Sequence, residues 1–185
     1  MPNIEIIQPS DADGYIREVY DQILESRGKI AEIYKIQSLN PRSIIRHLDL
    51  YITLMYSKSP LSRQQREMLG VVVSSVNKCD YCKVHHSQAL LHYWKDEKRV
   101  QQLSEKYADA GLDEKELMLC ELADLSTTTP YSRKISSLIK KMKKKSFTDR
   151  AILDATLIIS YFNFVNRIAL NLEVELEKDP GGYKY

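Results

Sequence analysis

Apolar residues recur along the chain at intervals of three and four, which is the spacing of one face of an α-helix. The clearest stripe of this kind consists of Ile44, Ile45, Leu48, Ile52 and Met55. No stretch of appreciable length alternates apolar and polar residues as a half-buried strand would. The pattern therefore predicts an all-α protein, folded as a single domain over residues 1–185.

Prolines and hydroxyl-bearing residues mark the starts of the predicted helices. A proline is harmless in the first turn of a helix, where its missing N–H would have no partner, and Ser or Thr commonly caps that turn. Pro41 and Pro130 fit the first rule, and Ser62 and Thr148 fit the second. The predicted helices cover about residues 10–26, 30–38, 41–57, 62–76, 79–93, 96–109, 113–126, 132–145 and 148–177.

Two helical segments resemble each other at a constant spacing of 86 residues. The matching pairs are Leu61-Ser62 with Phe147-Thr148, Val73-Ser74 with Ile159-Ser160, and Asn77 with Asn163. They indicate that part of the segment at about 62–93 is repeated at about 147–178, although any two amphipathic helices can be aligned this well. The second copy would lack redox chemistry, because Val165 and Leu153 stand where the first copy has Cys79 and Glu67.

Composition and charge narrow the function classes. A net charge of +2 gives no field that would attract nucleic acid or a membrane surface. The basic run 140–145 contains no aromatic residue, and we expect it to be a solvated helix end. No segment has the length and apolarity of a membrane span, and the start of the sequence does not resemble a signal peptide. Three cysteines in a chain without an export signal indicate a reducing compartment, so we expect a cytoplasmic protein.

The segment 67–86 concentrates the candidate chemistry. It contains a C-x-x-C motif formed by Cys79 and Cys82, and the adjacent histidines His85 and His86. Cysteines at this spacing beside a histidine form either a dithiol redox centre or part of a metal site. Adjacent histidines point about 100° apart on a helix and rarely bind one zinc ion together, so the redox interpretation is favoured and zinc is its alternative.

Glu67 can join this cluster only if the chain reverses direction. In one straight helix Glu67 and Cys79 would lie ~18 Å apart, at ~1.5 Å per residue. Asn77 favours caps and turns, so we predict an antiparallel helix pair that reverses there. Glu67 would then lie level with His86, and both cysteines would occupy the first turn of the second helix.

Such an arrangement would activate a thiol. The thiolate is the reactive species, and a free thiol with a pKa of about 8.5 is only slightly ionised at neutral pH. A helix N-terminus and a nearby histidine raise the ionised fraction. We expect His86 to accept the proton, Glu67 to orient it, Cys82 to attack first and Cys79 to close a disulfide. The reverse order of the cysteines is nearly as well supported, because Cys79 is closer to the helix start.

The motif E-x11-C-x-Y-C-x3-H, preceded by P-L-S-R-x-x-R-E and followed by F-N-F-V-N-R-I-A, resembles the AhpD-like family of alkylhydroperoxidase D and carboxymuconolactone decarboxylase relatives. The likeness covers about residues 41–175 and points to the peroxidase-related branch. It implies the all-α AhpD-like fold, a homo-oligomer, and dithiol peroxidase or disulfide-reductase activity without a bound cofactor. Carried over by position, Glu67 and His86 match the family's relay acid and histidine, and Cys79 and Cys82 match its redox cysteines.

Tyr81 departs from this family, because the best-known alkylhydroperoxidases have a second histidine at its position. Its phenol can donate a hydrogen bond but is a poor base at neutral pH. We include Tyr81 among the candidate catalytic residues. The decarboxylase members are excluded as functional matches, because they generally lack the cysteine pair. The resemblance implies antioxidant reduction of hydrogen peroxide or an organic hydroperoxide, with electrons from a lipoyl protein, a thioredoxin-like protein or a small thiol.

Two other function classes fit the same residues. The first is a redox-sensing or zinc-binding interaction protein, whose dithiol switches assembly without turnover. The second is an enzyme of small-molecule metabolism that keeps this scaffold and uses the thiols for another reaction. The remaining cysteine, Cys120, and the histidines His47 and His92 are expected to be structural. The aromatic segment 161–164 is expected in the core, at a subunit contact or in the wall of a thiol pocket.

Overall fold

The computed structural model describes residues 2–182, and within this range the regular structure is entirely helical. The α-helices are α1 (Gly14–Arg27), α2 (Glu32–Lys35), α3 (Pro41–Tyr56), α4 (Arg63–Val76), α5 (Asp80–Trp94), α6 (Glu97–Lys106), α7 (Glu114–Thr128), α8 (Arg133–Lys144) and α9 (Asp149–Asn171). A short 3₁₀ turn, Tyr107–Asp109, follows α6. The predicted all-α class is confirmed. Every helix within residues 2–182 is too short or too polar to cross a bilayer.

The last predicted helix, 148–177, is wrong in its C-terminal part, because α9 ends at Asn171. Glu173 adopts a left-handed backbone conformation, with φ at 52°. The backbone N–H of Val174 then donates to the carbonyl of Ala169 at 2.9 Å, which is the pattern of a Schellman helix end. Residues 172–182 continue as an irregular segment that returns towards α5.

Helix α4 occupies the centre of the protein. Residues 66–74 are buried one after another, so this helix is covered on all sides. It packs against α5, α7 and α9. Its start is fixed by a capping box, in which Ser62 and Gln65 each accept the other's backbone N–H through their side chains. The predicted cap at Ser62 is therefore confirmed, and α4 carries its polar side chains into the core.

The chain reverses between α4 and α5, as the sequence predicts. Asn77 caps the C-terminus of α4, Lys78 adopts a left-handed conformation with φ at 57°, and Cys79 is the N-cap of α5. This tight turn sets the two helices side by side. As a result Glu67 and His86 lie level and in contact, with 2.7 Å between Oε2 and Nδ1.

Helix α9 stabilises the turn between α4 and α5 through side-chain hydrogen bonds. The side-chain amide of Asn77 donates to the side-chain oxygens of Asn163 at 3.1 Å and Asn166 at 2.9 Å. The amide of Asn166 donates in turn to the hydroxyl of Ser74 at 3.2 Å. These bonds hold the start of α5 against α9.

The two copies of the predicted repeat have similar beginnings. Thr148 caps α9 as Ser62 caps α4, and the matched residues Asn77 and Asn163 are in direct contact. They differ further along, because α4 ends at Val76, just before Asn77, whereas α9 continues through Asn163. A duplication of this segment stays a prediction.

Candidate active site

Glu67 is a fully buried carboxylate with hydrogen-bond partners on both oxygens. Its Oε1 accepts hydrogen bonds from Nε of Arg63, at 2.9 Å, and from Nη2 of the same guanidinium. Its Oε2 accepts one from Nδ1 of His86 at 2.7 Å. Burial opposes ionisation, but the hydrogen bond and charge of His86, together with Arg63, outweigh it and lower the pKa of Glu67. Glu67 is therefore an ionised residue in the core.

His86 is held in one orientation and one tautomer. A carboxylate only accepts hydrogen bonds, so Nδ1 of His86 carries its hydrogen and Nε2 of the neutral ring has a lone pair. The ring meets Phe162 edge to face, with 4.3 Å between ring centroids. Gly70 provides the space, since a Cβ there would lie 3.0 Å from both His86 and Phe162. The free Nε2 can therefore act as a base.

Cys79 and Cys82 are both reduced and almost completely buried at the start of α5. A hydrogen bond from the Cys82 thiol lowers the pKa of Cys79, helped by the Cys82 backbone N–H and opposed by burial. The same hydrogen bond, followed by burial, raises the pKa of Cys82, while a hydrogen bond from Asn166 opposes the rise. Of the two thiols, Cys79 therefore ionises more readily, and it lies at the positive end of the helix.

A small pocket opens onto Cys82. Its free volume is about 80 Å³, and its walls are largely aromatic, with Tyr34, Tyr51, Tyr161 and Phe162 among them. His86 also lines this pocket, whereas Cys79 does not. A small molecule that entered would therefore meet the sulfur of Cys82 and the ring of His86.

Tyr81 lies inside the C-x-x-C motif and bridges to the C-terminal segment. Its hydroxyl accepts a hydrogen bond from the backbone N–H of Ile33 at 3.1 Å and donates one to Oε1 of Glu177 at 3.0 Å. Nε2 of His85 lies 2.7 Å from the other oxygen of Glu177. Burial would raise the pKa of Glu177, but hydrogen bonds from His85 and the Glu32 backbone outweigh it and lower the pKa to about 2.

The structure thus brings together four of the five candidate residues, Glu67, Cys79, Cys82 and His86, and shows Tyr81 bonded beside them. His85 contacts the carboxylate of Glu177, whereas His86 contacts that of Glu67. The two side chains point in different directions, as expected for adjacent residues on one helix. No group of three or more His, Cys, Asp or Glu residues within 2–182 is placed to hold a metal ion.

The aromatic segment 161–164 does contribute to the pocket wall, through Tyr161 and Phe162. Sequence reasoning missed other members of the site, which are Arg63, Asn166, His47 and Glu177. A signal existed for Arg63, because it precedes Glu67 by four residues, the spacing that pairs opposite charges on a helix. Asn166 lies in the F-N-F-V-N-R-I-A motif, although its contact with Cys82 depends on how α9 packs. Glu177 gave no signal, because the helical pattern appeared to continue through it.

Residues 46–125 match the family described as the carboxymuconolactone decarboxylase family. An uncharacterized peroxidase-related protein from Silicibacter sp. TM1040 is similar in structure, with a TM-score of 0.81 and 26% identity over 96% of this chain and 94% of that one. A second similar structure is the alkylhydroperoxidase AhpD core of an uncharacterized peroxidase-related protein from Ralstonia eutropha JMP134. Its TM-score is 0.84, and it is 19% identical over 96% of this chain and 93% of that one. The debrominase Bmp8 has a TM-score of 0.75 and 19% identity, with 95% and 92% coverage. No curated protein matches the sequence significantly.

The helical arrangement is the AhpD-like fold, with Glu67, the two cysteines and His86 at its centre. Residues 46–125 match the carboxymuconolactone decarboxylase family, and the fold is similar to that of AhpD-like peroxidase-related proteins. The family resemblance inferred from the sequence is therefore confirmed.

Proposed function

We propose that this protein is a dithiol peroxidase, which reduces hydrogen peroxide or an organic hydroperoxide in antioxidant defence within a reducing compartment such as the cytoplasm. One observation carries the proposal. His86, which is hydrogen-bonded to the buried Glu67, lines the same pocket as Cys82. A base, a thiol and a small pocket together are what a thiol peroxidase requires.

The first step oxidises Cys82. His86 accepts the thiol proton through Nε2, and the amide of Asn166 stabilises the resulting thiolate. The sulfur attacks one oxygen of the hydroperoxide, so that an S–O bond forms and the O–O bond breaks. Cys82 becomes a sulfenic acid, and the leaving oxygen takes the proton from His86 to depart as an alcohol or as water.

The second step closes the disulfide. The thiolate of Cys79, which the helix start and the Cys82 backbone N–H stabilise, attacks the oxidised sulfur of Cys82. An S–S bond forms and the S–O bond breaks. The released hydroxide takes up the proton that the Cys79 thiol lost on ionising, and it leaves as water. The dithiol has then supplied two electrons. A lipoyl protein, a thioredoxin-like protein or a small thiol would reduce the disulfide and complete the cycle.

Tyr81 supports this site in our scheme without transferring a proton. Its hydroxyl is bonded to Ile33 and Glu177, so it connects α5 to α2 and to the C-terminal segment. The connection fixes the first turn of α5, in which both thiols lie.

Peroxide consumption, measured with a panel of thiol reductants, tests the proposal. Cys79→Ser and Cys82→Ser should each abolish turnover, whereas Cys120→Ser, a buried thiol outside the pocket, should preserve it. Trapping a sulfenic acid in Cys79→Ser would identify Cys82 as the attacking residue. Unchanged rates in both site variants would overturn the proposal, and a single oxidation without turnover would favour a redox sensor.

A second candidate function is thiol-dependent reduction of a small aromatic compound. The aromatic walls of the pocket favour it, and a cysteine-to-alanine variant of the structurally similar debrominase has been crystallised with 2,3,4-tribromopyrrole. The dithiol would replace a carbon–bromine bond by a carbon–hydrogen bond and release hydrogen bromide as it forms the disulfide. Bromide release from this compound, in the absence of peroxide turnover, would favour the second candidate.

A further inference from the structure

The wall of the Cys82 pocket also contains Tyr161, on α9. Tyr161 is 5% exposed, and within residues 2–182 its hydroxyl has one hydrogen-bond partner, Nε2 of His47 at 2.8 Å. A hydroxyl can donate one hydrogen bond and accept others. The direction of the bond to His47 therefore decides whether Tyr161 can offer its hydrogen to a molecule in the pocket.

Gln37 determines that direction. Its Nε2 lies 2.6 Å from the backbone carbonyl of Ile33, which can only accept, so this atom is the amide nitrogen. The same nitrogen lies 2.9 Å from Nδ1 of His47, which must then be the acceptor. Burial lowers the pKa of His47 to about 4, so the ring is neutral at neutral pH. Its single hydrogen is therefore on Nε2.

His47 consequently donates to the oxygen of Tyr161, so the hydrogen of Tyr161 is not used in this bond. The phenol ring is fixed in place, with its centroid 5.2 Å from that of Phe162 and 5.6 Å from that of His47. Burial and nearby tyrosines raise the pKa of Tyr161, and the charge of Cys82 adds to the rise. The phenol therefore stays protonated beside the reacting sulfur.

We propose that Tyr161 is a catalytic hydrogen-bond donor to the leaving oxygen of the peroxide, and that His47 and Gln37 are its positioning residues. Negative charge develops on that oxygen as the Cys82 sulfur attacks and the O–O bond breaks. A preoriented donor in a site that excludes water stabilises such charge strongly. The proton that the leaving oxygen finally takes still comes from His86. The inference rests on the proposed peroxidase function and deepens it.

Tyr161 would supply the hydrogen-bond donor to the oxidant, a role that Tyr81 is not placed to fill. The resemblance predicts a second proton-transferring group at position 81, but the hydroxyl of Tyr81 donates to Glu177. The donor for the oxidant would instead come from α9, which reaches the pocket from another part of the chain. A tyrosine inside the motif is then compatible with peroxidase chemistry.

The test compares Tyr161→Phe with Tyr20→Phe, a control that removes another buried hydroxyl, bonded to the carbonyl of Ile7 at 2.8 Å and outside the pocket. We expect Tyr161→Phe to lower kcat/KM for peroxide by about 100-fold, the typical effect of removing one such donor. Tyr20→Phe should keep the wild-type value. Reaction of the dithiol with an aromatic disulfide reagent, which has no O–O bond, should be nearly unchanged in both variants.

The positioning role of His47 is tested by comparing the peroxide activity of two variants, His47→Gln and His47→Phe. His47→Gln retains an N–H group that can donate to Tyr161, so it should keep more peroxide activity than His47→Phe at equal folded fraction. A wild-type protein that consumes no peroxide overturns the proposed function. An active wild type with an equally active Tyr161→Phe overturns this inference alone. Equal losses with peroxide and with the disulfide reagent would show a structural role and overturn it as well.

Discussion

At the scale of single residues, the charge of the buried Glu67 carboxylate is stabilised by two partners, Arg63 and His86. A buried charge is costly unless it is paired and hydrogen-bonded. Arg63 is permanently charged and neutralises Glu67 in every state of the site. When His86 is protonated, the three residues carry one net positive charge beside the dithiol, which favours the thiolate.

Stability at mildly acidic pH should depend on His47. Its pKa is about 4 in the folded protein against 6.5 in its ordinary state, so the unfolded chain binds this proton first as the pH falls. The stabilising contribution is complete above pH 6.5 and is lost towards pH 4, by about 1.4 kcal/mol per pH unit. Urea unfolding between pH 7 and pH 5 measures it, and His47→Gln should flatten the dependence. Identical slopes in both proteins would contradict it.

Spacing within one segment was enough to predict that Glu67 lies level with His86 and that both cysteines lie at the start of α5. A motif of this kind encodes its own geometry once the turn at Asn77 is recognised. Tyr161 and His47 could not be paired in the same way, because 114 residues separate them and only the packing of α3 against α9 brings them together.

At the scale of helices, α4, α5 and α9 meet at Gly70. A Cβ at this position would lie 3.0 Å from His86 and from Phe162, a distance that forces both rings to move. We expect Gly70→Ala to cost about 1–3 kcal/mol of stability through overpacking, partly offset by ~1 kcal/mol of helix propensity. Peroxide activity should fall further than the folded fraction, because the His86–Glu67 bond is disturbed. Thermal unfolding and kinetics together check it, and wild-type activity would contradict it.

Helix starts were predictable from local chemistry, since Ser62 and Thr148 do cap their helices. The end of α9 was not. Residues 173–177 read as a continued helix, but Glu173 takes a left-handed conformation without being glycine. The contacts of Glu177 with α2 and α5 outweigh the local preference, and such contacts have no signature in a window of sequence.

The C-terminal segment 172–182 joins distant parts of the whole molecule. Glu177 accepts the backbone N–H of Glu32 at 2.8 Å, and Lys29 donates to the carbonyl of Asp179 at 2.6 Å. Pro180 forms part of the pocket wall. This segment therefore closes one side of the site.

We expect Glu177→Gln to loosen this segment. Hydrogen bonds to a charged group are worth about 1.5–3 kcal/mol, so the variant should lose stability of this order and exchange amide hydrogens faster over residues 172–182. Glu173→Gln, an exposed residue of the same segment, is the matched control and should behave as wild type. Equal exchange in Glu177→Gln and wild type would show that Glu177 does not hold the segment.

Homo-oligomerisation stays a prediction at this scale. Leu153, Leu157 and Phe164 lie along α9 with exposed fractions of 54%, 42% and 48%. Such residues are common on isolated surfaces and also at contacts between copies, so they are compatible with either state.

The central claim is that Cys79 and Cys82 form a redox pair, and one measurement tests it most directly. The reduced protein is treated with one molar equivalent of hydrogen peroxide, without reductant, and its thiols are titrated and mapped by mass spectrometry. Of the three thiols, two should disappear and Cys120 should remain, with a peptide carrying a Cys79–Cys82 disulfide. Three remaining thiols, or a disulfide that includes Cys120, would contradict the claim.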